Sequence, residues 1–243
     1  MTRRVRVPVV TALLLAGSVV AAAPASAVIG GSTSTYGPWA VRMLIDGKPA
    51  CTGTAITRRW ILTASHCFYE QALPIRDKRI SFRVGALDMR KGVTVRPAGK
   101  RVGSAHADMM LIKVAPMNVP TARLATTHVR RGQLVRQYGW GATCAAEDEN
   151  ACQSPVLKQS TLRVVRPDDP RCKGYTAPGG PDFCMEKVAG IPAGGDSGGP
   201  VMSIGPRGTE TLLGVFDGSD RERTAEAGEI VQQLAWIRSV VRG

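Results

Sequence analysis

Beyond residue 28 the chain reads as short apolar runs separated by turn residues. Residues 41–45, 61–64, 80–84, 109–114, 162–165 and 212–216 are each rich in apolar or β-branched side chains, and Gly, Pro or charged residues bound them. Runs of that length and composition pack as strands. Their regular recurrence predicts a barrel or sandwich. The period changes once, near the carboxyl end. Ile230, Leu234, Ile237 and Val241 fall at spacings of four, three and four, which places them on one face of a helix over residues 229–241. The pattern alone predicts an all-β fold with a C-terminal helix. Residues 145–150 are acidic and read as a solvated loop between Cys144 and Cys152.

The first 27 residues break this pattern. Arg3, Arg4 and Arg6 precede an apolar stretch over residues 7–23, and Ala25-Ser26-Ala27 has the small-residue form that signal peptidase accepts. Pro8, Gly17 and Pro24 interrupt the stretch, so it falls short of the ~20 apolar residues a membrane span needs. Residues 1–27 are therefore expected to be a signal peptide, and residues 28–243 the secreted, extracellular folded part. About 215 residues suffice for one large all-β unit or two small barrels.

Export makes the cysteines legible. All six lie in the folded part, an even number outside the cytosol, which points to disulfides. No C-x-x-C pair occurs and only His66, His106 and His128 could add nitrogen ligands, so no metal site is expected. The net charge is +13, and +10 without the three leader arginines. Those charges are scattered and aromatics make up only 5% of the chain, so neither nucleic-acid binding nor stable membrane association is expected.

Three segments carry candidate chemistry. In Gly195-Asp196-Ser197-Gly198-Gly199-Pro200, glycines around a serine let the backbone turn tightly and aim N–H groups outward. A serine hydroxyl needs a base to take its proton and donors to hold the oxyanion it creates. Leu62-Thr63-Ala64-Ser65-His66-Cys67 offers the base. A histidine base needs a carboxylate to hold its tautomer. Asp108 opens the apolar run Met109-Met110-Leu111-Ile112-Lys113-Val114, where a carboxylate is costly unless hydrogen-bonded.

The order His66, Asp108, Ser197 with these motifs resembles the chymotrypsin/trypsin-like serine proteases, particularly their secreted bacterial members. The resemblance covers nearly all of the folded part. Val28-Ile29-Gly30-Gly31 is similar to the family's mature amino terminus and Gly139-Trp140-Gly141 to its mid-chain motif. Leu157-Lys158-Gln159 with Cys172 and Cys184 resembles the approach to the specificity pocket, and Trp236-Ile237 the terminal helix.

That resemblance implies two six-stranded antiparallel barrels with their boundary near residues 125–135. It implies a peptidase whose triad is His66, Asp108 and Ser197, whose oxyanion hole is the N–H groups of Gly195 and Ser197, and which needs no cofactor. It implies protein or peptide substrates, protein inhibitors as partners, and a monomer. It also implies Cys51–Cys67 and Cys172–Cys184 bridges, leaving Cys144–Cys152 by elimination. A Val28 amine freed by signal peptidase would pair with Asp196. Departures are visible too. Ala193 stands where the family has a cysteine. Ile191 stands at the pocket floor where trypsins have an aspartate, which implies apolar or small substrate side chains. Asp217 lies on the pocket-wall strand near the place of a serine that supports the catalytic aspartate. These departures keep a second reading open, a protease-like binding protein. A secreted esterase fits poorly, because its histidine would come last in the chain.

Overall fold

A computed structural model describes residues 28–146, 148–172, 176 and 179–243. The expected signal peptide, residues 1–27, lies outside the described residues. The chain forms two main sheets and a short pairing of residues 69–70 with 73–74; the second main sheet also takes residues 32–33 as an edge and residues 123–124 as a parallel pair. The first contains β1 (Ala40–Ile45), β2 (Lys48–Thr57), β3 (Trp60–Thr63), β4 (Ile80–Val84), β5 (Val93–Val95), β6 (Pro97–Gly103) and β7 (Met110–Val114). Its order across the sheet is β5-β4-β1-β2-β3-β7-β6. The second contains β8 (Leu134–Gly139), β9 (Lys158–Val164), β10 (Asp182–Ala189), β11 (Pro200–Ser203), β12 (Thr211–Ser219) and β13 (Thr224–Glu229). Its order is β9-β8-β11-β12-β13-β10, and β10 pairs back to β9 to close a barrel.

The two halves and the C-terminal helix are those of the expected chymotrypsin-type fold, with the amino-terminal half curled into a half-barrel. The edge strands β5 and β6 of that half do not pair with each other among the described residues. Only Arg96 separates them, so the sheet's two edges meet through the chain itself. Pro97, which opens β6, has no N–H to give a ladder, and proline belongs at such a break.

The period-2 alternation explains why two cores and a seam form from one set of strands. Leu111 pairs with Leu62 and Ile112 with Ile61 across β7 and β3. Ile61 and Ile112 point into the amino-terminal core with Val41, Phe68 and Phe82. Leu62 and Leu111 point the other way, into a seam with Trp39, Tyr138 and Trp140. The barrel has its own core, including Val135, Phe183, Val201 and Phe216. Helix α1 (Ile230–Arg242) lays Ile230 and Ile237 into the seam, with Leu234 and Val241 packed beside them, as its apolar face predicts. Burying each such side chain contributes ~1.5–3 kcal/mol, so the seam holds the halves in fixed register. Disulfides join Cys51–Cys67, Cys144–Cys152 and Cys172–Cys184. Among the described residues no helix is long and apolar enough to cross a membrane.

Candidate active site

The first half contributes a histidine and a carboxylate. β3 ends at Thr63, a single 3-10 turn over His66–Phe68 follows, and the Cys51–Cys67 bridge ties that turn to β2. The register Met110 opposite Thr63 sets residue 108 beside residue 66 at the mouth of the two strands. Asp108 then holds His66 twice. Its Oδ1 accepts the His66 backbone N–H at 2.8 Å, and its Oδ2 meets ring Nδ1. With Nδ1 engaged, Nε2 is left for other chemistry.

The second half contributes the serine loop, which is clamped onto the first. The Ser197 carbonyl accepts the Thr52 N–H of β2 at 2.9 Å. Gly198, at φ +79°, packs so closely that a Cβ there would strike Thr63 Oγ1 and the Thr52 carbonyl. Only glycine fits that approach, which brings Ser197 into one cleft with His66. The cleft has a volume of about 380 Å³ and is also lined by Ala193, Gly194, Phe216 and Asp217. Along the loop, Asp196 N–H donates to Ala193 O, Gly198 N–H to Phe216 O and Gly199 N–H to Asp196 O. Among the described residues the N–H groups of Gly195 and Ser197 have no acceptor, and they can serve an external oxygen.

Behind the loop lies a buried charge that sequence reading passed over. Arg42, in the middle of β1, is fully buried. It donates to the Gly195 carbonyl at 2.8 Å, to the Cys51 carbonyl at 3.3 Å and to Gln153 Oε1. Thr52 Oγ1 donates to the same Gly195 carbonyl at 2.9 Å. An arginine inside a run that is otherwise apolar and buried on both faces was the available signal. Burial lowers its pKa to about 10, against the pull of Asp196. Asp196 is fully buried as well. Burial raises its pKa to about 6, although it accepts N–H bonds from Gly141 at 2.8 Å and Ala193 at 3.0 Å and feels Arg42. A Cβ on Gly139 or Gly141 would overlap the Asp196 carboxyl, which accounts for the glycines of Gly139-Trp140-Gly141.

The expected partner of Asp196, Val28, is buried, and its neighbour Ile29 bridges Ile191. In the uncleaved chain the Val28 nitrogen is a peptide amide without charge. The cation facing Asp196 here is Arg42.

The expected specificity residues are placed differently from one another. Ile191 does not line the cleft: its N–H bonds the Ile29 carbonyl and its side chain joins the barrel core. Asp217 does line the cleft, but its carboxylate turns to His66, with Oδ1 3.5 Å from Nδ1. Partial burial lowers the His66 pKa, but bonds to Asp108 and Asp217 outweigh it and raise it to about 9. Burial also raises Asp108, yet His66 and Asp217 pull it below the usual carboxylate range. Asp217 is raised by burial and by Asp108. Two further carboxylates, Asp182 on β10 and Glu226 on β13, lie within electrostatic reach of this group. Burial and Asp217 push them up to about 6 and about 8.

The family model described as Trypsin matches residues 28–238. Human "Serine protease 56" is 28% identical over 233 residues, covering 79% of this chain, and this chain spans about a third, 34%, of that relative's length. "Trypsin iota" of Drosophila melanogaster is 27% identical over 217 residues, covering 81% of this chain and 82% of the relative. Among solved structures, a scabies mite inactivated protease paralogue, S-D1, superposes with a TM-score of 0.75 over 88% of this chain and 97% of its own. At 22% identity that likeness shows the fold alone. These relatives are animal proteins, so the narrower likeness to secreted bacterial members rests on the sequence motifs. A family match over nearly the whole described chain, carried on this closed barrel and curled sheet, establishes that the chain belongs to the trypsin family of chymotrypsin-like serine proteases.

Proposed function

We propose that this chain is a secreted serine endopeptidase that cleaves peptide bonds through an acyl-enzyme intermediate, with His66, Asp108 and Ser197 as its triad. The observation that carries this reading is His66 held twice by Asp108 in the same cleft as Ser197. Ser197 attacks the substrate carbonyl as His66 Nε2 takes its proton, and Asp108 stabilises the imidazolium. The N–H groups of Gly195 and Ser197 receive the oxyanion. His66 then protonates the leaving amine, and water attacks the acyl-enzyme by the same route. Every step uses this chain's own residues.

Secretion is supported by the leader-like residues 1–27 and by three disulfides. Activation follows from the same leader: signal peptidase frees the Val28 amine, which turns to Asp196. Ile191 does not form a pocket floor, but the carboxylate on the cleft lining, Asp217, turns to His66 and Arg221 stands beside it, so the substrate side chain is apolar or small. Glu186, a carboxylate on the strand before the serine loop, is occupied by Arg171 at 2.6 Å and Arg163 at 3.2 Å and takes no part in recognition. A peptide-library profile dominated by cleavage after Lys or Arg would overturn this preference. The enzyme itself is tested with a fluorophosphonate probe. Wild-type protein is expected to label at Ser197 and Ser197→Ala not at all; an unlabelled wild type that also fails to cleave peptides would favour the binding-protein reading.

A further inference from the structure

The triad chemistry leaves a carboxylate in the cleft unused. Asp217 sits on β12 of the barrel and reaches the imidazole of His66, which hangs from the other half. Its Oδ1 is 3.5 Å from Nδ1, the same ring nitrogen that Asp108 bonds. That nitrogen has one hydrogen to give. His66, Asp108 and Asp217 bring a ring nitrogen and one oxygen of each carboxyl within 4.8 Å of one another. Three groups thus share protons in one place.

We propose that Asp217 is a positioning residue of this peptidase: a second carboxylate on the Asp108 side of His66, which clamps the ring as imidazolium and moves general-base catalysis to alkaline pH. The inference rests on the peptidase reading above. With Asp108 ionised throughout, the site has two arrangements of equal charge. In one, His66 is protonated and both carboxylates are ionised. In the other, Asp217 carries the proton and His66 is neutral. Only the neutral ring can take the Ser197 proton.

The surroundings favour the first arrangement. The groups facing this point are Asp108 before β7, Asp182 on β10 and Glu226 on β13, all carboxyls. Arg221, the cation on the cleft lining, is engaged by Glu149 at 2.7 Å and by the Ser219 carbonyl at 2.9 Å. The negative charges of Asp108 and Asp217 at the imidazole stabilise its protonated form, whereas Glu226, neutral up to about pH 8, adds none at neutral pH. The pKa of about 9 for His66 agrees with that geometry. A hydroxyl or amide at position 217 could still donate to Asp108 but would add no charge.

The test compares wild type with Asp217→Ser and Asp217→Asn. kcat and KM for a peptide substrate are measured from pH 5 to 11. In parallel, the ring of His66 is titrated by NMR in Ser197→Ala versions of all three proteins. The chain has only three histidines, and a His66→Gln spectrum assigns the signal. The expected result is an acid limb of kcat/KM near pH 9 in wild type that moves down by at least one pH unit in both variants. At pH 7 the variants then turn over about tenfold faster, with KM little changed. The His66 signal moves by the same amount. An unshifted ring titration in both folded variants would overturn the proposal, and so would variants that lose activity at every pH with their acid limb in place. If no version hydrolyses peptide at any pH, the peptidase reading fails, while the ring titration still decides whether Asp217 holds the proton on His66.

Discussion

Replacing Arg42 by Met removes the buried cation under the serine loop while keeping a side chain of similar length. The Gly195 carbonyl loses its bond at 2.8 Å and the Cys51 carbonyl its bond at 3.3 Å, while Asp196 loses the cation it faces. Removing one partner of a buried pair costs ~3–5 kcal/mol when the other charge is left in place. Asp196 can limit that loss by taking a proton. Its pKa of about 6 lies above the 3.8 of the unfolded chain, so the folded protein binds this proton more tightly. Wild-type stability from this group therefore falls as pH rises from about 4 to about 6 and is level above that. Without Arg42 the folded pKa goes higher, so the decline continues to higher pH. The variant should lose ~3 kcal/mol or more at pH 8, and clearly less at pH 5, where Asp196 is neutral. Urea unfolding at the two pH values measures the difference, in protein still carrying residues ahead of Val28 so that no α-amine pairs with Asp196. The Gly195 carbonyl fixes the peptide beside the proposed oxyanion hole, so kcat should drop ~10²-fold, the scale of losing one oxyanion donor, with a smaller change in KM. Equal destabilisation at pH 5 and pH 8, with kcat unchanged, would refute the idea that Arg42 offsets Asp196 and steadies the loop.

Ser197→Ala and His66→Ala should each lower kcat ~10⁴-fold or more, because a triad acts as a unit; full turnover in Ser197→Ala would remove the serine from the chemistry. Adding Met or a tag ahead of Val28 should leave turnover low until it is trimmed away, and equal activity before and after trimming would show that the Val28 amine is not the activator. Glu226 is neutral in the fold up to about pH 8, because of burial and the charges of Asp217, Asp182 and Asp108, whereas the unfolded chain ionises it above 4.5. It therefore erodes stability as pH rises from about 4.5 to about 8, and Glu226→Gln should show a smaller fall in Tm between pH 5 and pH 8 than wild type; a larger fall would contradict that sign.

Much of this molecule was legible in the chain because the signals are local. Alternation at Ile61-Leu62 and Leu111-Ile112 announces strands, and the same alternation assigns one side to a half-core and the other to the seam. The helix face of Ile230, Leu234 and Ile237 is read from a window of eight residues. Glycines around Ser197 and the histidine beside Cys67 are short motifs with a chemical reason for each residue type. Folding then decided what those motifs face. Arg42 and Gly195 are 153 residues apart, and nothing near either one says that β1 runs beneath the serine loop. Ile191, expected at the pocket floor, is drawn into the barrel core by its bridge to Ile29. Asp217 was noticed as out of place, but its hold on His66 depends on how one barrel strand lies against the other half. Apolar periodicity is written into neighbours along the chain, because burial acts on each element's own face. Charge balance belongs to residues that meet only after both halves pack, since desolvation and Coulomb attraction act through space across the whole site.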